Sequence, residues 1–179
     1  MLSAAVPFAF AQTFRSGAGS TTETVIGSVN ASGGVHIDSR QPGHRNCPIC
    51  LAAGTTVDAP AGPIPATAVN VGMKVWSTDT KGRRVAVAVV ETGKMQAPVG
   101  HQVLAITLAD GRSITASPGH PTADGRHLGQ LQPGDVLDGA RIVAVVAAPY
   151  SGFTYDLLPG GVTGAYWADG VLLGSTLLR

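Results

Sequence analysis

Aromatic residues make up only 5% of this 179-residue chain, so any core must be assembled from Val, Leu, Ile and Ala. Charge is scarce too, at 13% with a formal net charge of +1. No Lys/Arg run gathers that charge, which argues against nucleic acid or an anionic membrane surface as a partner. No apolar run reaches the roughly 18–20 residues that cross a bilayer. The longest candidates, Val85 to Val90 and Ile142 to Ala148, have strand length. No segment sustains a helical period. Cysteine stops at Cys47 and Cys50. With His44 they make at most a partial zinc site, lacking a fourth ligand and a second ligand pair, so neither a metal nor a cofactor is expected.

Turn formers are abundant instead. The 24 Gly and 12 Pro residues favour many short strands. From Cys50 onward the pattern is strand, turn, strand: Val71 to Thr78, Val85 to Val90, His101 to Leu108, Ser113 to Ala116, Val136 to Leu137, Ala140 to Val146, Thr154 to Leu158, Tyr166 to Ala168 and Val171 to Leu173. Asp110-Gly111, Asp138-Gly139 and Asp169-Gly170 are hairpin dipeptides between such runs. The expected fold class is all-β. A faint internal echo links Val69-Asn70-Val71-Gly72-Met73-Lys74-Val75 with Leu131-Gln132-Pro133-Gly134-Asp135-Val136-Leu137, as two similar β subunits would require.

Before Cys50 the composition differs. Leu2 to Ala11 is apolar and ends Ala9-Phe10-Ala11, like the second half of a secretory signal without its basic start. A secreted or cell-envelope location is therefore expected, without excluding the cytoplasm. Residues 12 to about 46 are rich in Gly, Ser and Thr, with one candidate strand in Thr22 to Val29 and another at Val35-His36-Ile37. The expected organisation is a leader or partner segment, residues 1–49, partly disordered, followed by one β domain, residues 50–179.

Two features of that domain carry chemistry. Cys50-Leu51-Ala52-Ala53-Gly54-Thr55-Thr56-Val57 opens it with a thiol, and Ser117-Pro118-Gly119-His120 answers about 70 residues later with an imidazole. A thiol at the head of a folded unit can attack the carbonyl just before it, if an acid helps the peptide nitrogen leave. Such a domain acts on its own backbone.

These segments resemble the Hint family, shared by inteins, bacterial intein-like proteins and the autoprocessing half of hedgehog proteins. Cys50 to Thr55 resembles the family's first block and Ser117-Pro118-Gly119-His120 its Thr-x-x-His block, with Ser for Thr. Thr154-Tyr155-Asp156-Leu157 and Tyr166 to Leu173 resemble its C-terminal blocks. The resemblance implies a horseshoe of two pseudo-symmetric β subunits. It also implies an N-to-S acyl shift in which Cys50 attacks the carbonyl of Ile49 and His120 protonates the departing nitrogen. Ser117 or Thr115 would orient the strained peptide, and Asp156 would accept a proton or orient the histidine. The chain's own N-terminal segment would be the substrate, and water or a small nucleophile the acyl acceptor.

One departure limits the expectation. Inteins end in His-Asn before a Cys, Ser or Thr, because the Asn amide cyclises to cut the second junction. This chain has Gly174-Ser175-Thr176 there, so self-processing without full splicing is expected. The alternative is a non-catalytic Hint-fold binding or structural module of an exported bacterial protein.

Cys47 adds a redox reading. At the Cys47-Pro48-Ile49-Cys50 spacing, a disulfide would mask the nucleophile and reduction would release it. A dithiol redox module built on the same pair lacks any surrounding βαβ pattern. His101 and His127 show no partner pattern and are expected to be exposed or at the core edge. Trp76 and Trp167 are expected to be core aromatics.

Overall fold

The computed structural model describes residues 6–16, 19–43 and 50–177. His44, Cys47 and Ile49 lie outside the described residues, so the partial zinc set and the cysteine pair are not seen. The chain divides into two compact units, Met1–Asn46 and Cys47–Arg179.

The first unit is an antiparallel meander of β1 (Val6–Ser16), β2 (Gly19–Val29) and β3 (Val35–Gly43), in that order across the sheet. The expected strands 22–29 and 35–37 fall within β2 and β3. Strand pairing runs through most of the stretch expected to be partly disordered: β1 pairs with β2 along its whole length, from Val6 opposite Val29 to Ser16 opposite Gly19. β1 runs through the apolar stretch that resembles a signal. Neighbouring-strand hydrogen bonds, which a single-segment reading cannot see, make strands of these Ser/Thr-rich residues. Asn30 shapes the turn into β3: its Oδ1 accepts the Ser32 and Gly34 N–H groups at 3.1 and 2.7 Å.

The second unit is all-β, with no α-helix among the described residues. Its strands are β4 (Thr56–Val57), β5 (Ile64–Pro65), β6 (Lys74–Thr78), β7 (Arg84–Gln96), β8 (Gln102–Leu108), β9 (Ser113–Ala116), β10 (Val136–Leu137), β11 (Ala140–Pro149), β12 (Phe153–Pro159), β13 (Ala165–Ala168) and β14 (Val171–Gly174). One sheet runs β10-β11-β8-β9; another runs β12-β7-β6-β13-β4-β5, with β14 beside β13. The turns follow the sequence closely. Asp138 (φ 45°) and Gly139 (φ 80°) join β10 to β11, and Asp169 (φ 47°) and Gly170 (φ 74°) join β13 to β14. Two successive positive φ values are what the twist-matched two-residue hairpin turn needs.

The internal echo is structural. Single 3-10 turns, Ala66–Ala68 and Leu128–Gln130, lead into the two passages. Met73 N–H reaches Asn70 O and Asp135 N–H reaches Gln132 O, at 3.2 and 3.1 Å. Gly72 and Gly134 both take positive φ, and their N–H groups bond Val89 O and Ile142 O at 2.8 and 2.9 Å. Each passage then runs into a hairpin, β6-β7 or β10-β11. Val69, Val75, Leu131 and Leu137 are the buried anchors. The two passages thus share one local plan.

The core is aliphatic, as the composition requires. Leu51, Val57, Val75, Ile106, Leu108, Ile114, Leu128, Ile142, Leu157, Val171 and Leu173 form its body, and Tyr166 is its one aromatic among the described residues. Trp76 and Trp167 are not core residues, which corrects the expectation. Both are half-buried and flank the Arg84 guanidinium, whose carbon lies 4.8 Å from each ring, while Asp58 accepts from it at 2.9 Å.

Candidate functional site

Cys50 enters the second unit as the start of a short connecting strand. Leu51 exchanges backbone hydrogen bonds with Tyr155 of β12, at 2.7 and 3.0 Å, and bridges Ala116 of β9 on its other side. Ala52 N–H reaches Thr115 O at 3.1 Å. This double pairing fixes Cys50 between β9 and β12, and the residue is buried at 5% exposure.

The turn after β9 closes over it. Ser117 donates its N–H to Cys50 O at 3.1 Å, and Ser117 O accepts the His120 N–H at 3.0 Å. Pro118 O accepts Gly129 N–H at 2.6 Å and His120 O accepts Leu128 N–H at 3.0 Å, so the second 3-10 turn braces the loop. Ser117 and His120 are both fully buried. Turn chemistry explains the local shape: Pro118 and Gly119 reverse the chain and leave Ser117 and His120 facing inward.

Asp156 approaches from β12. Its Oδ1 accepts the Tyr166 hydroxyl at 2.6 Å and its adjacent Leu157 N–H at 2.7 Å. Its Oδ2 accepts the Thr176 N–H at 2.8 Å and also the Thr176 hydroxyl. The carboxylate thus satisfies four donors inside the fold, as a buried charge must.

Tyr166 ties these groups together. Its ring meets His120 edge-on, with centroids 6.4 Å apart and planes at 89°. Its hydroxyl holds Asp156. Burial pushes the phenol well above its ordinary range, reinforced by the Asp156 charge, the hydrogen bond to it and the nearby Cys50 thiol. The phenol stays protonated and acts as a donor.

The structure therefore brings together four of the five residues expected from the sequence: Cys50, Ser117, His120 and Asp156. Thr115 is adjacent, but its contacts run through the main chain: its carbonyl accepts Ala52 N–H and, at 3.0 Å, the Thr55 hydroxyl. Cys47 lies outside the described residues. Three members went unnoticed. Tyr166 shows in the sequence only as part of a strand and of a C-terminal block, although a tyrosine in an aliphatic core needs a hydrogen-bond partner. Thr176 stands where inteins carry a Cys, Ser or Thr, and nothing in the sequence points it at Asp156. His101, expected to lack a partner, lies 2.9 Å from Ser117 Oγ through Nε2.

The C-terminal strand ends beside the same site. Gly174 N–H reaches Pro121 O at 2.9 Å and Ser175 N–H reaches Gly164 O at 2.8 Å. A Cβ at position 174 would stand 3.3 Å from Thr122 O. Ser175 has no side-chain amide, so the imide-forming cleavage available to asparagine has no nucleophile there.

No family model matches this chain, and no curated protein matches it. Solved structures do. A DnaB intein from Synechocystis sp. PCC 6803 superposes with a TM-score of 0.62 at 13% identity, over 72% of this chain and 99% of that one. The bacterial intein-like domain from Clostridium thermocellum gives 0.61 at 21% identity, over 70% and 98%. The gp41-1 intein gives 0.57 at 23% identity, over 70% and 97%. At these identities the likeness is one of fold. The chain carries a Hint, intein-like fold.

Proposed function

We propose that this intein-like fold is a self-processing domain whose Cys50 performs an N-to-S acyl shift at the Ile49–Cys50 bond, without C-terminal splicing. The observation that carries the reading is the buried loop that bonds Cys50 O through Ser117 N–H and carries His120, set against the Tyr166 phenol that holds Asp156.

In the step, the Cys50 Sγ–H proton passes to His120 as sulfur bonds to the Ile49 carbonyl carbon. The Ile49–Cys50 C–N bond breaks, and the nitrogen takes a proton from His120 to leave as an amine. The reaction is an isomerisation of the chain and needs no other reactant. Water then releases residues 1–49 as an acid, whereas a thiol, amine or alcohol carries that fragment away as its own acyl derivative. Without an asparagine at position 175, the second junction stays intact.

Cys47 stands three residues before the nucleophile. A Cys47–Cys50 disulfide would remove the thiol, so processing should require reduction.

The test is thiolysis. Incubation with excess small thiol should release residues 1–49 as a thioester of the expected mass. His120→Ala should slow that release by about 10²–10⁴-fold, the usual contribution of a general acid. No release from the reduced wild-type protein would overturn the reading. Unchanged release from protein whose cysteines are shown by mass to be linked would remove the redox gate.

A further inference from the structure

We propose that His101 is a positioning residue for this reaction, acting through the Ser117 hydroxyl; the inference rests on the reading of Cys50 as the nucleophile.

His101 lies in the turn that leads into β8, and its main chain is pinned on both sides. Its N–H donates to Pro98 O at 3.0 Å, and its carbonyl accepts Tyr150 N–H at 2.9 Å. The imidazole stands edge-on to the Tyr150 ring, with centroids 6.4 Å apart and planes at 77°. Tyr150 is itself anchored, accepting Ala53 N–H at 3.0 Å and donating to Phe153 O at 2.7 Å. The same tyrosine therefore braces the Cys50 strand and the His101 turn. The ring is aimed before any chemistry begins, with Nε2 2.9 Å from Ser117 Oγ.

Ser117 stands between the two reacting groups, bonded through its main chain to Cys50 O and His120 N. A serine hydroxyl has one proton and two acceptor lone pairs. If Nε2 carries a hydrogen, it donates to Oγ, and the serine proton is left for another acceptor. If Nε2 is bare, it takes the serine proton, and the hydroxyl can give nothing elsewhere. The state of His101 thus decides whether Ser117 is a donor within the site. On this proposal the serine proton serves the carbonyl of the bond Cys50 attacks, where negative charge gathers as sulfur adds. A preorganised donor there is worth about 10²–10³-fold in rate. No bond forms or breaks at His101; it sets the direction of one hydrogen bond.

The experiment measures thiol-induced release of residues 1–49 by intact mass, with thermal unfolding of every variant followed by circular dichroism. His101→Phe keeps a ring against Tyr150 but cannot bond Ser117, and should slow release about a hundredfold. His101→Gln, whose amide nitrogen reaches close to the Nε2 position and always donates, should restore most of the rate. In a Ser117→Ala background, His101→Phe should cost nothing further. A His101→Phe rate equal to wild type, failure of His101→Gln to rescue, or losses that multiply in the double variant would each overturn the proposal. Should His101→Phe melt early, the comparison of His101→Gln with the too-short His101→Asn carries the same test. Failure of the underlying reading looks different: wild type would release nothing, as Cys50→Ala would.

Discussion

Tyr166 has one phenolic proton, and it goes to Asp156 at 2.6 Å in a fully buried setting. Removing it leaves Asp156 Oδ1 with only the Leu157 N–H. Tyr166→Phe should therefore cost about 1.5–3 kcal/mol, the usual contribution of a hydrogen bond to a charged group. The shift of the urea midpoint measures it; an unchanged midpoint would mean that Asp156 does not depend on this donor. At this scale the sequence was informative wherever a residue type carries its own chemistry. Cys50 and His120 stand out because a thiol and an imidazole announce what they can do, whereas Ser117 and Asp156 come from the resemblance of their blocks to the Hint family. Tyr166 and His101 were missed because their importance lies in partners, Asp156 and Ser117, that are distant along the chain. The tryptophans failed for the opposite reason, since Arg84 gives their faces a use at the surface.

The loop from Ser117 to His120 depends on the 3-10 turn beside it. A Cβ on Gly129 would lie 2.9 Å from Pro118 Cβ and 3.0 Å from Pro118 O. Gly129→Ala should push the loop away from Cys50, lowering stability by about 1–3 kcal/mol, as overpacking does, and slowing release. Gly54→Ala is the control, because nothing stands within 4 Å of its added Cβ. Equal behaviour of the two variants would contradict the bracing role. Elements were legible where the signal is local: Ser113–Ala116 and Val136–Leu137 were read at their observed bounds, and the Asp-Gly dipeptides mark real hairpins. They were illegible where pairing supplies the order. β7 extends to Gln96 through the polar stretch Glu91 to Gln96 because β12 lies alongside, from Phe153 opposite Gln96 to Leu158 opposite Glu91. β4 and β5, two residues each, are too short to show any period.

For the molecule as a whole, the buried phenol sets an alkaline limit. The Tyr166 value in the folded state lies well above the ordinary 10.0. As pH rises past about 10, the unfolded chain releases this proton while the folded one keeps it. The unfolded state then binds fewer protons, so stability must fall with further rise in pH, toward the folded value. Below about pH 10 both states hold the proton and the contribution is flat. Urea midpoints between pH 8 and 11 should therefore fall more steeply for wild type than for Tyr166→Phe, and parallel curves would contradict this. The all-β class and the two matching turn passages were readable from composition and one weak repeat, because both depend on turns placed along the chain.

The central claim is that Cys50 acts on the bond before it. Intact mass of freshly purified, reduced protein, followed over time beside Cys50→Ala, addresses it directly. The account predicts a growing species that begins at Cys50, with residues 1–49 lost, and no such species in the alanine variant. Full-length mass in both, or the same cut in both, would contradict it.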